Sequence, residues 1–238
     1  MPCGALFVSV LNVKIYQKGE IIVLENRNNN SEYESRRSED VRKTKILEKF
    51  VDKIYAENGI KIIRIEDEEL QKRGVDFVHI TENEQRCVDE KFAIKYFNQD
   101  LKTFAFELAS YNNKNNKGWF ISDHMLTTYY VILWFRSDEE LQNIYSYDLC
   151  YVEKEKIKEY LKTVGFYDEI VDDFNKYWAD QTHTNPDDTY YEKGDRRYRD
   201  LQDGVRIVQS MQYKKESPIN VVIPRKKLYE LAELHFTK

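Results

Sequence analysis

Residues 127–135 read Thr-Thr-Tyr-Tyr-Val-Ile-Leu-Trp-Phe, a run without a single charge. β-Branched and aromatic side chains dominate it, and these favour a pleated backbone. The run is too short to cross a membrane as a helix, which takes about 20 apolar residues. It reads as a buried strand, covered on both faces, so the chain must fold in layers about a sheet.

The 238 residues set one large domain, or a domain with a small appendage. Hydrophobic residues make up 41%, enough for a core, under a surface drawn from 33% charged residues. The net charge of -5 argues against a purely electrostatic nucleic-acid binder. It leaves room for a nucleic-acid enzyme, because a carboxylate-rich metal site is itself acidic. The segment Ala5–Leu11 is too short for a secretory leader. Cys3, Cys87 and Cys150 are odd in number and far apart, giving neither a disulfide framework nor a zinc knuckle. The expectation is a cytoplasmic protein with reduced thiols. No glycines are spaced as GxGxxG, a Walker A loop or a GxSxG elbow, and no histidines are spaced as HxxxH or HxH. Dinucleotide enzymes, P-loop NTPases, α/β-hydrolases and zinc proteases are therefore disfavoured.

Along the chain, residues 7–24 suggest a hairpin about Lys18-Gly19. A polar linker follows, so residues 1–35 are read as an extension and 36–238 as one domain. A helix is expected from Asp40, an N-cap residue, to Asn58-Gly59. Strands are expected at Ile60–Ile65, Val75–Ile80, Cys87–Ile94, Thr103–Ala109 and Thr127–Phe135. Helices are expected over Glu153–Val164, Asp168–Trp178 and Arg225–His235, with short strands at Val205–Val208 and Ile219–Ile223. Residues 180–204 read as a surface loop. The core then spans about 40–135, with residues 150–238 as helical and loop decoration, and the class is α/β or α+β with a mixed sheet.

One pair of strands carries chemistry. Asp76 lies in Val75-Asp76-Phe77-Val78, and Asp89 and Lys91 lie in Val88-Asp89-Glu90-Lys91-Phe92. Alternation puts Asp89 and Lys91 on one face, about 7 Å apart along the strand. Glu90 points the other way. Ionisable groups on apolar strands are costly without a partner. A divalent cation between Asp76 and Asp89 is one such partner, with the Glu90 backbone carbonyl as a further ligand and Lys91 beside it. An exposed cross-strand ion pair on an ordinary hairpin is the other reading.

The order helix, strand, strand with Asp76, turn, strand with Asp89-x-Lys91, strand resembles the PD-(D/E)XK nuclease superfamily over roughly residues 40–135. The resemblance implies a three-layer α/β/α restriction-endonuclease-like fold and Mg²⁺- or Mn²⁺-dependent phosphodiester hydrolysis, with DNA as the substrate. By position, Asp76 matches the first acid, Asp89 the second and Lys91 the lysine. Gly74-Val75 stands where the motif has its proline. Glu48 on the first helix matches an additional acid of some members, and Glu107 offers a third acid from the next strand. Outside this site, Lys114 and Lys117 in an Asn-rich loop, and Arg196, Arg197 and Arg199 beside tyrosines, are candidate nucleic-acid contacts. A hairpin loop and an intramolecular salt-bridge network are the respective alternatives. A homodimer would suit cleavage of two strands. The alternative function is an inactive module of the same fold that binds nucleic acid or a protein.

Overall fold

The computed structural model describes residues 15–17, 20–22, 36–110, 113–180, 189–211 and 217–238. In chain order the elements are β1 (Ile15–Gln17), β2 (Glu20–Ile22), α1 (Arg36–Glu57), β3 (Lys61–Arg64), α2 (Glu68–Lys72), β4 (Phe77–Ile80), β5 (Gln85–Phe92), β6 (Thr103–Ser110) and β7 (Asn113–Lys117). They continue as β8 (Tyr129–Ser137), β9 (Ile144–Glu153), α3 (Lys154–Thr163), α4 (Ile170–Ala179), β10 (Tyr190–Lys193), β11 (Arg196–Asp200), β12 (Arg206–Ser210), β13 (Pro218–Pro224), α5 (Arg225–Leu231) and β14 (Leu234–Thr237). The class is mixed α+β. The strands β1 and β2 pair antiparallel as the expected hairpin, while its Lys18-Gly19 turn and the linker before α1 lie outside the described residues.

The chain divides into two compact units. The first holds residues 1–99, 126–151 and 234–238. Its six strands run in the order β14-β9-β8-β5-β4-β3. β3, β4 and β5 form an antiparallel meander, and β8 joins β5 in parallel, with Val88 opposite Tyr129 and Asp89 opposite Tyr130. Helix α1 begins at Arg36, a turn before the expected Asp40 cap. Its Leu47, Val51, Ile54 and Tyr55 pack with Phe77, Val88, Val131 and Leu149 in one buried cluster. Val78 and Cys87, one residue out of phase on the same strands, join Ile65, Leu70, Val75 and Leu126 in a second. The sheet is therefore apolar on both faces, and β8 is buried along almost its whole length, as its sequence requires.

The second unit holds residues 100–125 and 152–233. Its six strands are antiparallel in the order β10-β11-β12-β13-β6-β7. Phe106, Leu108, Ile207, Ile219, Val221 and Ile223 are buried, as are Ile157 and Leu161 of α3, Phe174 of α4 and Leu228 of α5. Gly118 marks a close approach: its N–H donates to the Leu108 carbonyl at 2.6 Å. A Cβ there would lie 2.4 Å from the Glu107 carbonyl oxygen.

Several expectations are corrected. Residues 36–238 form two clustered units, because Thr103–Ser110 pairs with β13 and leaves the sheet of its chain neighbours. The polar stretch around 111–117 contains β7, and residues 190–200, read as loop, form β10 and β11. Their charged side chains mask a two-residue period. The last helix stops at Leu231 and the chain turns into β14, pairing with β9.

Candidate functional site

The short helix α2 aims the first aspartate. Asp67 caps it by accepting the Leu70 N–H at 2.9 Å. Gly74 ends it with φ +74°, a left-handed conformation open to glycine at little cost. Val75 then donates its N–H to the Leu70 carbonyl at 3.1 Å, and its side chain is buried. A proline at 75 would lose that bond. Thr127 Oγ1 donates to the Gly74 carbonyl at 2.7 Å and the Leu126 N–H to the Arg73 carbonyl at 2.8 Å, fastening the turn to the start of β8.

Asp76 continues the ladder at the head of β4. Its N–H donates to Val88 O and its carbonyl accepts from the Ile65 N–H, both at 2.9 Å. Its carboxylate reaches across to β5, where Oδ2 accepts the Glu90 N–H at 2.6 Å. Asp89 and Lys91 do share one face of β5: Lys91 Nζ lies 2.7 Å from Asp89 Oδ1. The other oxygen, Asp89 Oδ2, is buried with no hydrogen-bond partner. Burial drives the Asp89 carboxyl from 3.8 up to about 7 against the pull of Lys91. Asp76 adds to the rise through its charge and as an acceptor for the proton of the neutral form. Asp76 is half-buried and the Lys91 side chain is 29% exposed, so the pair opens to solvent on one side.

Glu90 points to the α1 side, as alternation demands, and there it builds what the sequence reading missed. Its carboxylate accepts from the Tyr55 hydroxyl at 2.9 Å and pairs with the Arg64 guanidinium. Arg64 also donates to Asp52 Oδ1 at 2.5 Å and to the Glu48 carbonyl at 3.3 Å, and it sits over the Phe77 ring. Burial pushes Glu90 from 4.5 up to about 7, with Arg64 opposing. The same residue therefore gives Asp76 its backbone N–H and clamps β5 to β3 and α1 with its side chain. The signal available was an arginine at the end of an apolar strand facing an acid. Glu48 is half-buried on α1, and its carboxyl is raised first by burial, with Arg64 lowering it and Asp76 adding to the rise. It therefore stands in the field of Asp76.

The remaining candidates belong to the second unit. Glu107 lies on β6 of the second unit, opposite Asn220. Lys117 pairs with Asp123 at 2.7 Å. The side chain of Lys114 is outside the described residues. Arg197 pairs with Glu192 at 2.9 Å and covers Trp178, while Arg199 donates to the Tyr167 hydroxyl at 2.9 Å and covers Tyr190. These two arginines are held inside the unit. Arg196 is exposed.

Among the described residues, no three carboxylate, thiol or imidazole side chains group closely enough to hold a metal by themselves. Asp76 and Asp89 are two. Mg²⁺ keeps several waters and is commonly bound through one or two carboxylates, so a paired site with a buried, unsatisfied oxygen fits that ion. No protein-family model matches the chain, and no curated protein or solved structure matches it either. No helix among the described residues is long and apolar enough to cross a membrane.

Proposed function

We propose that the chain is a metal-dependent nuclease whose centre is Asp76, Asp89 and Lys91, within a restriction-endonuclease-like core formed by α1, the β3-β4-β5 meander and the parallel β8. The observation that carries the reading is Asp89 Oδ2, buried without a donor beside a second carboxylate. A buried anion of this kind calls for a proton or a cation. Asp76 and Asp89 would hold Mg²⁺ or Mn²⁺, with the Glu90 carbonyl as a further ligand and Glu48 nearby. Such an ion acidifies water and neutralises charge building on a phosphate. Asp76 is held for that task by the Glu90 N–H. Lys91, anchored on Asp89 Oδ1 and partly open to water, offers an ammonium to a phosphate oxygen. DNA is the proposed substrate.

A second reading has one observation in its favour. The absence of a three-ligand group among the described residues also suits a module of this fold that binds without cutting. One assay separates them. The protein is incubated with supercoiled plasmid, single-stranded DNA or RNA, in Mg²⁺, Mn²⁺ or EDTA. Cation-dependent cleavage that Asp76→Ala and Lys91→Ala abolish, with circular dichroism unchanged, supports the enzyme. Cleavage that persists in either variant removes the assignment, and no cleavage of any substrate leaves the binding module.

A further inference from the structure

The second unit's sheet has one buried face and one open face. Ile207, Gln209, Ile219, Val221 and Phe106 turn inward. The alternate residues turn outward and are half-buried or exposed. At one end of this open face Tyr191 and Tyr198, direct partners on β10 and β11, stack with ring centroids 4.8 Å apart and planes 7° from parallel. Two register positions away Lys193 and Arg196 face each other, both exposed. On the other side of the tyrosines, Asp200 is taken by Arg206 at 3.0 Å and accepts from the Tyr191 hydroxyl at 3.2 Å. The acid nearest the tyrosines is therefore neutralised within the sheet. Lys193 and Arg196 form no ion pair within 4.0 Å among the described residues, unlike Arg197, which pairs with Glu192 on the opposite face.

We infer that this open face of β10-β11-β12 is a platform for single-stranded nucleic acid. A stacked aromatic pair on a sheet, with two cations at one end, supplies base stacking and phosphate contact together. An acidic peptide would use the cations and leave the rings idle. A second copy of the chain would bring its own Lys193 and Arg196 against these in a two-fold pairing. Tyr191 and Tyr198 receive bases, and Lys193 and Arg196, together at one end of the ring pair, receive the neighbouring phosphates. The rings tolerate any base, so binding is general in sequence. This inference concerns the second unit alone and is independent of the carboxylate centre.

The test is fluorescence anisotropy of a labelled 15-mer of single-stranded DNA or RNA with the full chain, in EDTA so that no cleavage intervenes. Wild type should bind, and Tyr191→Leu/Tyr198→Leu should weaken binding by about tenfold or more, since stacking contributes about 1–3 kcal/mol per base. Tyr191→Phe/Tyr198→Phe, which keeps the rings, should bind like wild type. Lys193→Glu/Arg196→Glu should weaken binding and flatten the log-affinity against log-salt slope by about 1.4. Anisotropy in EDTA reads the platform and plasmid cleavage in Mg²⁺ reads the carboxylate centre, so a failed platform and a failed nuclease reading are told apart. The inference is overturned if wild type binds no oligonucleotide at low salt, if the leucine pair binds as well as wild type, or if sedimentation shows a dimer that the leucine pair dissociates.

Discussion

Replacing Asp89 by asparagine isolates what its burial costs. The folded carboxyl sits at about 7, against 3.8 for its ordinary value. A folded pKa above the unfolded one means that the native state holds the proton more tightly. The associated penalty is absent at low pH and grows as pH rises from about 4 through 7. At 1.36 kcal/mol per tenfold change in acidity, its ceiling at pH 8 is about 4 kcal/mol. Asparagine is neutral throughout and keeps an oxygen for Lys91. Lys91 is 29% exposed, so water replaces much of the lost charge pairing. Without divalent cation, Asp89→Asn should be more stable than wild type by about 2–4 kcal/mol at pH 8. For a chain of this size that raises Tm by about 4–16 °C. The gain should fall below about 1 kcal/mol near pH 4, where the folded carboxyl is protonated and the unfolded one is about half so. Thermal denaturation followed by circular dichroism in EDTA, repeated with Mn²⁺, reads both effects. Mn²⁺ should raise the wild-type Tm at pH 8 and leave the variant unmoved. A variant less stable than wild type at pH 8 in EDTA would refute the reasoning, because the Lys91 pair would then outweigh the burial of the charge.

Two further outcomes follow from the packing. Arg64→Leu leaves Glu90 buried without its cation and should cost about 3–5 kcal/mol in urea denaturation, with Glu90→Gln on the same background restoring at least half; a loss under about 1 kcal/mol would show that Arg64 does not support the charge. Gly118→Ala places a Cβ against backbone 2.4 Å away and should destabilise by about 1–3 kcal/mol, and an unchanged urea midpoint would show that the approach is not tight.

The meander was legible because alternation is a local property. Phe77, Val78, Cys87 and Val88 each turned to the side that their spacing assigned, and Glu90 parted from Asp89 and Lys91 accordingly. Sheet membership was not legible. Thr103–Ser110 reads like any half-buried strand, and its partner β13 lies far along the chain. Strand β9 escaped notice because only its second half is buried, and α2 because five residues are too few to show a period. In β11, Arg197 and Arg199 lie against aromatic rings while Tyr198 turns outward. Arginine on a ring behaves as a half-buried residue, so a basic stretch that looked like solvated loop is a strand.

What the amino-acid order by itself determined is which side chains share a side: Asp89 with Lys91, Glu90 against them, and β8 covered above and below. That follows from the two-residue period of an extended chain, which needs no knowledge of partners. Tertiary structure alone decided that Asp76 accepts the Glu90 N–H, that Arg64 spans three elements to reach Glu90, and that Glu107 belongs to another sheet. These depend on strand pairing between distant segments, where many registers satisfy the same pattern and only the packing of the whole core selects one.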